Sequence, residues 1–206
     1  MGWNMKVLDL FCGAGGAAMG LHRAWPDAEI TGVDNRPQPR YPFKFVLGDA
    51  MTFPLEGYDF IWASPVCKRY SKTAAMWRSR NHPDQVGALR DKLYSQDAPW
   101  VIENVVGAPL RHPTMLCGLM FGLKVLRHRL FESSFAWLAP SHPYHNGTTN
   151  AHRGLSTGGE YICVAGHNFL VAEAARAMEI DWMSQIGLSQ AIPPAYSEFI
   201  ARQFRL

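Results

Sequence analysis

Short apolar runs alternate with more polar stretches over the first half of the chain. The runs cover residues 5–10, 29–33, 43–47, 58–63 and 100–102 and are rich in branched or aromatic side chains. Runs of this length that end at turn residues are typical of strands buried on both faces of a parallel sheet. We therefore predict a buried strand from each run.

Helices are predicted for segments between and after these runs. The segments are 16–24, the region of Val86, Leu89 and Leu93, 174–186, and the stretch that Pro193 and Pro194 open. Strands that alternate with helices predict an α/β fold, in which a mostly parallel sheet carries helices on both faces. Ligands of such folds bind at the carboxyl ends of the strands, so functional residues are expected in the loops that follow them.

The pattern changes between residues 132 and 172. Prolines and histidines interrupt any regular period there, and only residues 160–165 are strand-like. We predict a main domain of residues 1–131, a small insertion at 132–172, and helices in 173–206 that complete the main domain.

Composition narrows the functional classes only in part. The chain has 206 residues, of which 48% are apolar, and its Lys and Arg exceed its Asp and Glu by 20 to 17. This excess is small, so a nucleic acid would have to meet a local basic patch. Four cysteines without a CxxC pair argue against a disulfide framework and a cysteine-rich zinc site.

The first strand leaves no room for a signal peptide, and no run reaches membrane-spanning length, so we expect a cytoplasmic protein without membrane contact.

A glycine-rich turn follows the first predicted strand in the sequence DLFCGAGG. Such a turn lets the backbone approach a ligand closely at a helix N-terminus. The candidate ligand-binding residues of this turn are Asp9, Phe11, Gly13, Gly15 and Gly16. Asp34 ends the second strand, where a carboxylate can accept hydrogen bonds from ribose hydroxyls, and Asp49 follows the third, where it could accept from an adenine amino group.

The ligand of this turn has two candidates. A dinucleotide is one, but the loop lacks the GxGxxG spacing. S-adenosylmethionine is the other, because its sulfonium and amino groups are positively charged and an acid, Asp9, begins the loop. We predict S-adenosylmethionine as the cofactor. The alternative to any ligand is an ordinary tight turn with solvated acids.

Cys67 lies in SPVCKRYS, directly after the fourth apolar run. A thiol close to a cofactor indicates covalent chemistry, whereas a single cysteine after a strand is often only a small buried residue.

These motifs and their order resemble the DNA (cytosine-5)-methyltransferase family. DLFCGAGG matches the family's first motif, SPVCKRYS resembles its PPCQxFS nucleophile loop, and IENV resembles its ENV motif. Arg127 and Arg129 resemble the paired arginines of QxRxR, and QAIPPAYSEFIA resembles GNAVPPxxAxxIA, which in the family packs beside the first motif. The resemblance extends over nearly the whole length, and it implies a Rossmann-like methyltransferase fold with residues 1–131 as the catalytic and cofactor-binding domain.

The resemblance implies methyl transfer to C5 of cytosine. Cys67 would add to C6 of a flipped-out base, which places electron density on C5. Negative charge then develops on N3 and O2, where Glu103 and the pair Arg127 and Arg129 are suited to stabilise it. Gln190 would contact the cofactor. The residue that removes the C5 proton is not identified and could be water.

Basic residues follow the proposed nucleophile directly. The candidate nucleic-acid contacts are Lys68, Arg69, Ser71, Lys72, Arg78 and Arg80. We predict that they contact the phosphate backbone of double-stranded DNA while the target base rotates out of the duplex, with the protein acting as a monomer. The alternative is a solvated surface loop.

The chain departs from the family at several positions. Val66, Lys68, Tyr70 and Val125 replace family residues, the RxLTxxE motif is not found, and only residues 132–172 remain for target recognition. Two alternatives therefore stay open: an RNA cytosine-5 methyltransferase, and a non-catalytic nucleic-acid- or cofactor-binding relative.

Histidines are concentrated in the insertion. His142, His145, His152 and His167 raise the question of zinc, but their spacing is irregular and no cysteine pair accompanies them. We predict phosphate contacts or ordinary surface histidines, and no metal.

Overall fold

A computed structural model describes residues 4–67, 69–70, 84–145, 149–150 and 161–204. The strands are β1 (Lys6–Leu10), β2 (Glu29–Asp34), β3 (Lys44–Leu47), β4 (Phe60–Ala63), β5 (Trp100–Val105), β6 (Thr114–Leu116), β7 (Arg129–Ser133), β8 (Thr149–Asn150) and β9 (Tyr161–Ile162). The helices are α1 (Gly16–Ala24), α2 (Gln85–Tyr94), α3 (Val171–Met178), α4 (Gln185–Gln190) and α5 (Pro194–Gln203), with a 3-10 turn at Gly118–Phe121.

The main sheet has seven strands in the order β3-β2-β1-β4-β5-β7-β6. The strands from β3 to β5 are parallel, and β7 pairs antiparallel with both β5 and β6. The chain order reverses between β1 and β4, and a crevice forms beyond the carboxyl ends of the strands at such a reversal. The loops after β1 and β4 therefore face each other across this crevice.

Alternate residues of each central strand enter two different apolar layers. On β4, Phe60 and Trp62 pack with α1 and α5, whereas Ile61 packs on the other face with Leu89 and Leu93 of α2. A third cluster joins α3 and α4 to residues 123–125 and 162–164. Helices thus cover both faces, as the sequence pattern predicts. Within the described residues, no helix is both long and apolar enough to cross a membrane.

The α1 and α5 helices approach each other closely because α1 presents glycines to the C-terminal segment. A Cβ on Gly16 would lie 2.5 Å from the Ile192 carbonyl oxygen, and a Cβ on Gly20 would overlap the Pro194 carbonyl and the Ser197 hydroxyl. The Ser197 hydroxyl donates to the Ala17 carbonyl at 2.8 Å. The C-terminal segment therefore packs beside the glycine turn, as the resemblance implies.

The predicted elements are confirmed with two exceptions. The five apolar runs form β1 to β5, and Pro194 begins the last helix. The continuous helix predicted for 174–186 is wrong, because Glu179 adopts a left-handed conformation (φ 56°) that ends α3. Of the strand predicted at 160–165, only Tyr161–Ile162 forms a strand among the described residues, as β9.

Candidate active site

A cleft of about 1380 Å³ opens at the carboxyl ends of β1, β2, β4 and β5. Pockets for a single drug-sized ligand usually have about 300–1,000 Å³, so this cleft has room for more than one molecule. Residues 184–192 and 162–166 contribute the opposite wall. The proposed nucleophile, its acidic and basic partners, and most of the glycine turn lie on this one cleft.

Cys67 lies on the cleft wall four residues beyond the end of β4 and is partly exposed. Its carbonyl oxygen accepts a hydrogen bond from the Tyr70 amide at 3.0 Å, which forms a tight turn. Burial raises the pKa of the thiol, Glu103 raises it further, and Arg129 and Arg127 act in the opposite direction. The thiol is therefore protonated at neutral pH, and the nearby cations favour its ionised form.

Glu103 and Arg129 form an ion pair at the floor of the cleft. Glu103 lies on β5 and Arg129 on the neighbouring β7, and Arg129 Nε lies 3.1 Å from Glu103 Oε1. Burial raises the pKa of the Glu103 carboxyl, while Arg129, a hydrogen bond from Ser64 and Arg127 lower it. The pair brings an acid and a cation to the same wall as the thiol.

The terminal nitrogens of Arg127 bind backbone carbonyls of the cleft wall. Its Nη1 donates to the Val164 carbonyl at 2.6 Å, and its Nη2 donates to the Ser189 carbonyl at 2.8 Å. Burial lowers its pKa to about 9, with repulsion from Arg129 adding to the effect. Arg127 thus joins the two chain segments that form the far wall of the cleft.

Asn104 holds the nucleophile loop and was not identified from the sequence as a site residue. Its side-chain amide donates to the Pro65 carbonyl at 3.0 Å, and its own oxygen accepts from the Val105 amide at 2.9 Å. Asn104 is buried next to Glu103 on β5. Asn104 is part of the IENV motif, so the motif could have indicated it. Its contact with Pro65 could not be predicted, because the two residues are 39 positions apart in the sequence.

The glycine turn has the strained backbone that its composition predicts. Phe11, Gly13 and Gly15 all have positive φ, of 56°, 49° and 86°. A Cβ on Gly13 would meet no described atom within 4 Å, so this part of the loop is open to a ligand. Gly15 is different, because a Cβ there would meet Pro42 at 2.8 Å, and it packs away from the cleft.

Asp9 ends up fully buried at the floor of the cleft. The Tyr41 hydroxyl donates to its Oδ2 at 3.2 Å, and its Oδ1 has no hydrogen-bond partner among the described residues. Burial raises the pKa of this carboxyl to about 8, against its ordinary value of 3.8. An unsatisfied buried oxygen beside an open glycine turn fits a ligand with a positively charged or hydrogen-bond-donating group.

The remaining predicted cofactor residues also line the cleft. Asp34 accepts from the Gly13 amide at 3.0 Å and from the Arg36 amide at 2.9 Å, so it ties the second strand to the glycine turn. Asp49 is exposed and accepts from the Met51 amide at 2.9 Å. Gln190 is exposed at the end of α4.

Most of the predicted nucleic-acid contacts lie outside the described residues. Lys68, Ser71, Lys72, Arg78 and Arg80 belong to this group, whereas Arg69 is described and exposed. Arg69 lies within the turn that the hydrogen bond from the Tyr70 amide to the Cys67 carbonyl closes.

Comparison of the sequence identifies no relative, whereas comparison of the structure identifies a protein with the same fold. No protein-family model and no curated protein matches the sequence. A methyltransferase of Entamoeba histolytica superposes with a TM-score of 0.61 at 11% identity, and the match covers 97% of each chain. This likeness shows the fold, so the predicted Rossmann-like architecture of the methyltransferase type is confirmed.

Two other solved structures share smaller parts of the chain. The plantazolicin methyltransferase in complex with S-adenosylhomocysteine matches 49% of this chain with a TM-score of 0.35 at 19% identity, and this chain spans 39% of its length. An RNA methyltransferase from Salinibacter ruber, in complex with the same compound, matches 66% of this chain and 85% of its own with a TM-score of 0.36 at 11% identity.

Proposed function

We propose that this protein transfers a methyl group from S-adenosylmethionine to C5 of cytosine in DNA through a covalent adduct with Cys67. The observation that carries the proposal is that Cys67, Glu103 and Arg129 share one cleft with the glycine turn. The fold shared with the Entamoeba histolytica methyltransferase supports a methyl-transfer reaction. When bound, the cofactor supplies the electrophilic methyl group.

The cofactor would occupy the side of the cleft formed by the glycine turn. Asp9 and Asp34 lie behind and beside this turn, and both suit the positively charged and hydroxyl groups of the ligand. Asp49 and Gln190 line the same region at the surface. The C-terminal segment packs against Gly16 and completes this side of the cleft.

Cys67 would attack C6 of the flipped-out base. The thiol would lose its proton to water as the S–C6 bond forms, and the electron pair of the C5–C6 double bond would become available at C5. C5 would then form a bond to the methyl group, whose bond to the donor sulfur breaks with the electron pair remaining on that sulfur. A base, which water can supply, then takes the C5 proton, and the electrons of that bond restore the double bond and expel the Cys67 thiolate. The thiolate would take up a proton from water, which returns the enzyme to its starting state.

Glu103 and Arg129 would stabilise the charge that develops on the ring. A carboxyl with a raised pKa can donate a hydrogen bond to N3, and the neighbouring guanidinium can stabilise negative charge at O2. Such groups act most strongly where water is excluded. Arg127, whose terminal nitrogens bind backbone carbonyls, would position the wall of the pocket.

The proposal is tested by trapping the adduct. A duplex DNA of randomised sequence in which every cytosine is replaced by 5-fluorocytosine is incubated with the protein and S-adenosylmethionine. Because fluorine cannot leave as a proton does, the adduct cannot resolve. We expect a denaturation-resistant complex with the mass of protein, DNA and one methyl group, and none with Cys67→Ser. Normal cytosine duplex is the control.

The same experiment with RNA separates the alternatives. An adduct with structured 5-fluorocytosine RNA and none with DNA would contradict the DNA assignment and favour an RNA enzyme. A folded protein that forms no adduct and incorporates no methyl group into either would contradict catalysis and favour a binding protein. Basic residues after Cys67, of which Arg69 is described and exposed, are our reason for choosing nucleic acid as the substrate.

A further inference from the structure

Four side chains of metal-ligand type converge outside the candidate active-site cleft. They are the Cys117 thiol and the imidazoles of His128, His142 and His145, and one ligand atom of each lies within 4.8 Å of all the others. None of the four lines the cleft. The cluster is therefore a separate feature of the molecule.

The histidine nitrogens are spaced as the ligands of a tetrahedral ion are. His128 Nε2 lies 3.0 Å from His142 Nε2 and 3.3 Å from His145 Nε2. With zinc–nitrogen distances of about 2.0–2.1 Å, two nitrogens of a tetrahedral site are about 3.3 Å apart. An imidazole nitrogen either donates one proton or offers one lone pair, so a single Nε2 cannot form two good hydrogen bonds to the other two rings. One cation can accept all three lone pairs.

The sheet itself brings two of the ligands together. In the antiparallel pair β6 and β7, Leu116 lies opposite Arg129. One position beyond this pair, Cys117 and His128 face each other where the two strands diverge, and the Gly118 amide bonds the Leu126 carbonyl at 2.9 Å. Their proximity is thus fixed by strand register.

The other two ligands come from a short, stiff segment. His142 and His145 are separated by Pro143 and Tyr144 in the sequence HPYH. Both rings pack against His128, with centroids 5.2 Å away in each case. Cys117 is buried, His128 and His145 are half-buried and His142 is exposed, so an ion can enter from the side of His142.

We propose that Cys117, His128, His142 and His145 bind one zinc ion in a structural site. A thiolate with three imidazoles suits zinc among common cellular metals, and four protein ligands leave no open position for catalysis. Binding releases the thiol proton of Cys117 to solvent, while the histidines bind through neutral nitrogens. The proposal replaces the expectation from the sequence that this region binds no metal. Of the histidines considered there, His167 is exposed and is not part of the cluster, and His152 lies outside the described residues.

The ion would attach residues 142–145, which follow β7 in the chain, to residues 127–129, which include both arginines of the cleft. His128 lies between Arg127 and Arg129 in the sequence. An ion that binds His128 together with three other side chains would therefore limit the movement of both arginines. The site therefore braces the candidate active site without touching it.

The experiment measures metal content and does not depend on methyl transfer. Untagged full-length protein, purified without chelator, is analysed by elemental mass spectrometry beside His142→Ala, Cys117→Ser and the matched control His167→Asn. We expect one zinc per chain in the parent and in His167→Asn, and loss of zinc in the two ligand variants. His142 is exposed, so its replacement leaves the core intact.

A cobalt titration gives a second readout in the parent protein. After chelation and removal of zinc, cobalt(II) should produce the visible bands of tetrahedral coordination together with a thiolate charge-transfer band, which Cys117→Ser should lose. Absence of stoichiometric zinc together with absence of a tetrahedral cobalt spectrum in the parent overturns the proposal. Metal that persists in both ligand variants overturns the assignment of the site.

Discussion

Asp9 combines complete burial with an incomplete set of hydrogen bonds. One of its carboxyl oxygens is bound by Tyr41 and the other has no partner among the described residues. A carboxylate in this state is costly, which is why burial raises its pKa to about 8. The ligand-free protein therefore keeps Asp9 protonated at neutral pH, and a positively charged ligand would favour its ionised form.

The stability of the ligand-free protein should fall as pH rises towards 8. Between the ordinary pKa of 3.8 and the raised value of about 8, the folded protein binds the Asp9 proton and the unfolded chain does not. The free energy of unfolding then decreases by about 1.4 kcal/mol per pH unit for this group. Urea unfolding at pH 5.5 and pH 7.5 measures the change.

Asp9→Asn isolates the contribution of Asp9 from that of other groups. Glu103 also has a raised pKa and acts in the same direction, so the useful quantity is the difference in pH slope between parent and variant. We expect a shallower slope in Asp9→Asn. Identical slopes in the two proteins would show that Asp9 is ionised in the folded state.

At the scale of elements, a buried ion pair joins α2 to β7. Arg90 Nε lies 2.6 Å from Glu132 Oε1, and Arg90 Nη2 donates to Oε2 at 2.7 Å. Arg90 also donates to the Pro109 carbonyl, and Glu132 accepts from the Arg111 amide. Both side chains are about 95% buried, so the loss of one partner leaves a buried charge.

Glu132→Gln should lower the free energy of unfolding by about 3 kcal/mol, because it leaves Arg90 charged and buried without a counter-ion. Replacement of both residues by leucine should recover much of the loss. Urea unfolding measures the three proteins.

The exposed pair of Arg202 and Glu198 on α5 provides the comparison. It has a similar geometry, with Arg202 Nη2 2.8 Å from Glu198 Oε1, but Arg202 is 58% exposed. Glu198→Gln should change stability by less than about 1 kcal/mol. Equal losses in Glu132→Gln and Glu198→Gln would mean that burial does not determine the strength of the inner pair.

The elements that the sequence predicted well are those whose pattern is local. Strands β1, β4 and β5 are largely apolar runs because both faces of the sheet are covered there, whereas the edge strand β3 was predicted to be buried and is only partly so. The helix expected at 174–186 failed because Met178, Ile180 and Met183 are all buried although the chain turns at Glu179. The spacing of apolar residues indicates which residues are buried, and it does not show where a helix ends. Here the chain remains buried on both sides of the turn at Glu179, so the pattern continues although the helix stops.

At the scale of the whole molecule, the cleft is assembled from distant parts of the chain. Residues 9–17, 34–40 and 184–192 surround the proposed cofactor side, and Trp182 Nε1 donates to the Ala14 carbonyl at 2.8 Å. A ligand that binds here contacts both ends of the sequence. Its binding should therefore stabilise the fold as a unit.

S-adenosylhomocysteine should raise the melting temperature of the protein. At 100 times its dissociation constant a ligand adds about 2.7 kcal/mol to the folded state, which for a chain of this length is roughly 5–10 °C. Differential scanning fluorimetry measures the shift, with NAD⁺ as the control ligand. A shift with NAD⁺ and none with S-adenosylhomocysteine would favour the dinucleotide alternative.

The candidate site could be predicted from sequence wherever its residues belong to contiguous motifs. Cys67, Glu103 and Arg129 were identified in this way. Asn104 and Tyr41 were not, because their roles consist of contacts with Pro65 and Asp9, 39 and 32 residues away. The convergence of Cys117 and His128 was not predicted for the same reason, since strand register brings these two residues together.

Residues 162–164 are attached to the strip of chain that carries the cleft arginines by two hydrogen bonds. Ile162 donates to the Lys124 carbonyl at 2.8 Å, and Arg127 holds the Val164 carbonyl. On the other side, His145 packs against His128, which lies between the two arginines of the cleft. We therefore expect that a change in the number of residues between 151 and 160 leaves Arg127 and the Val164 wall of the cleft in place.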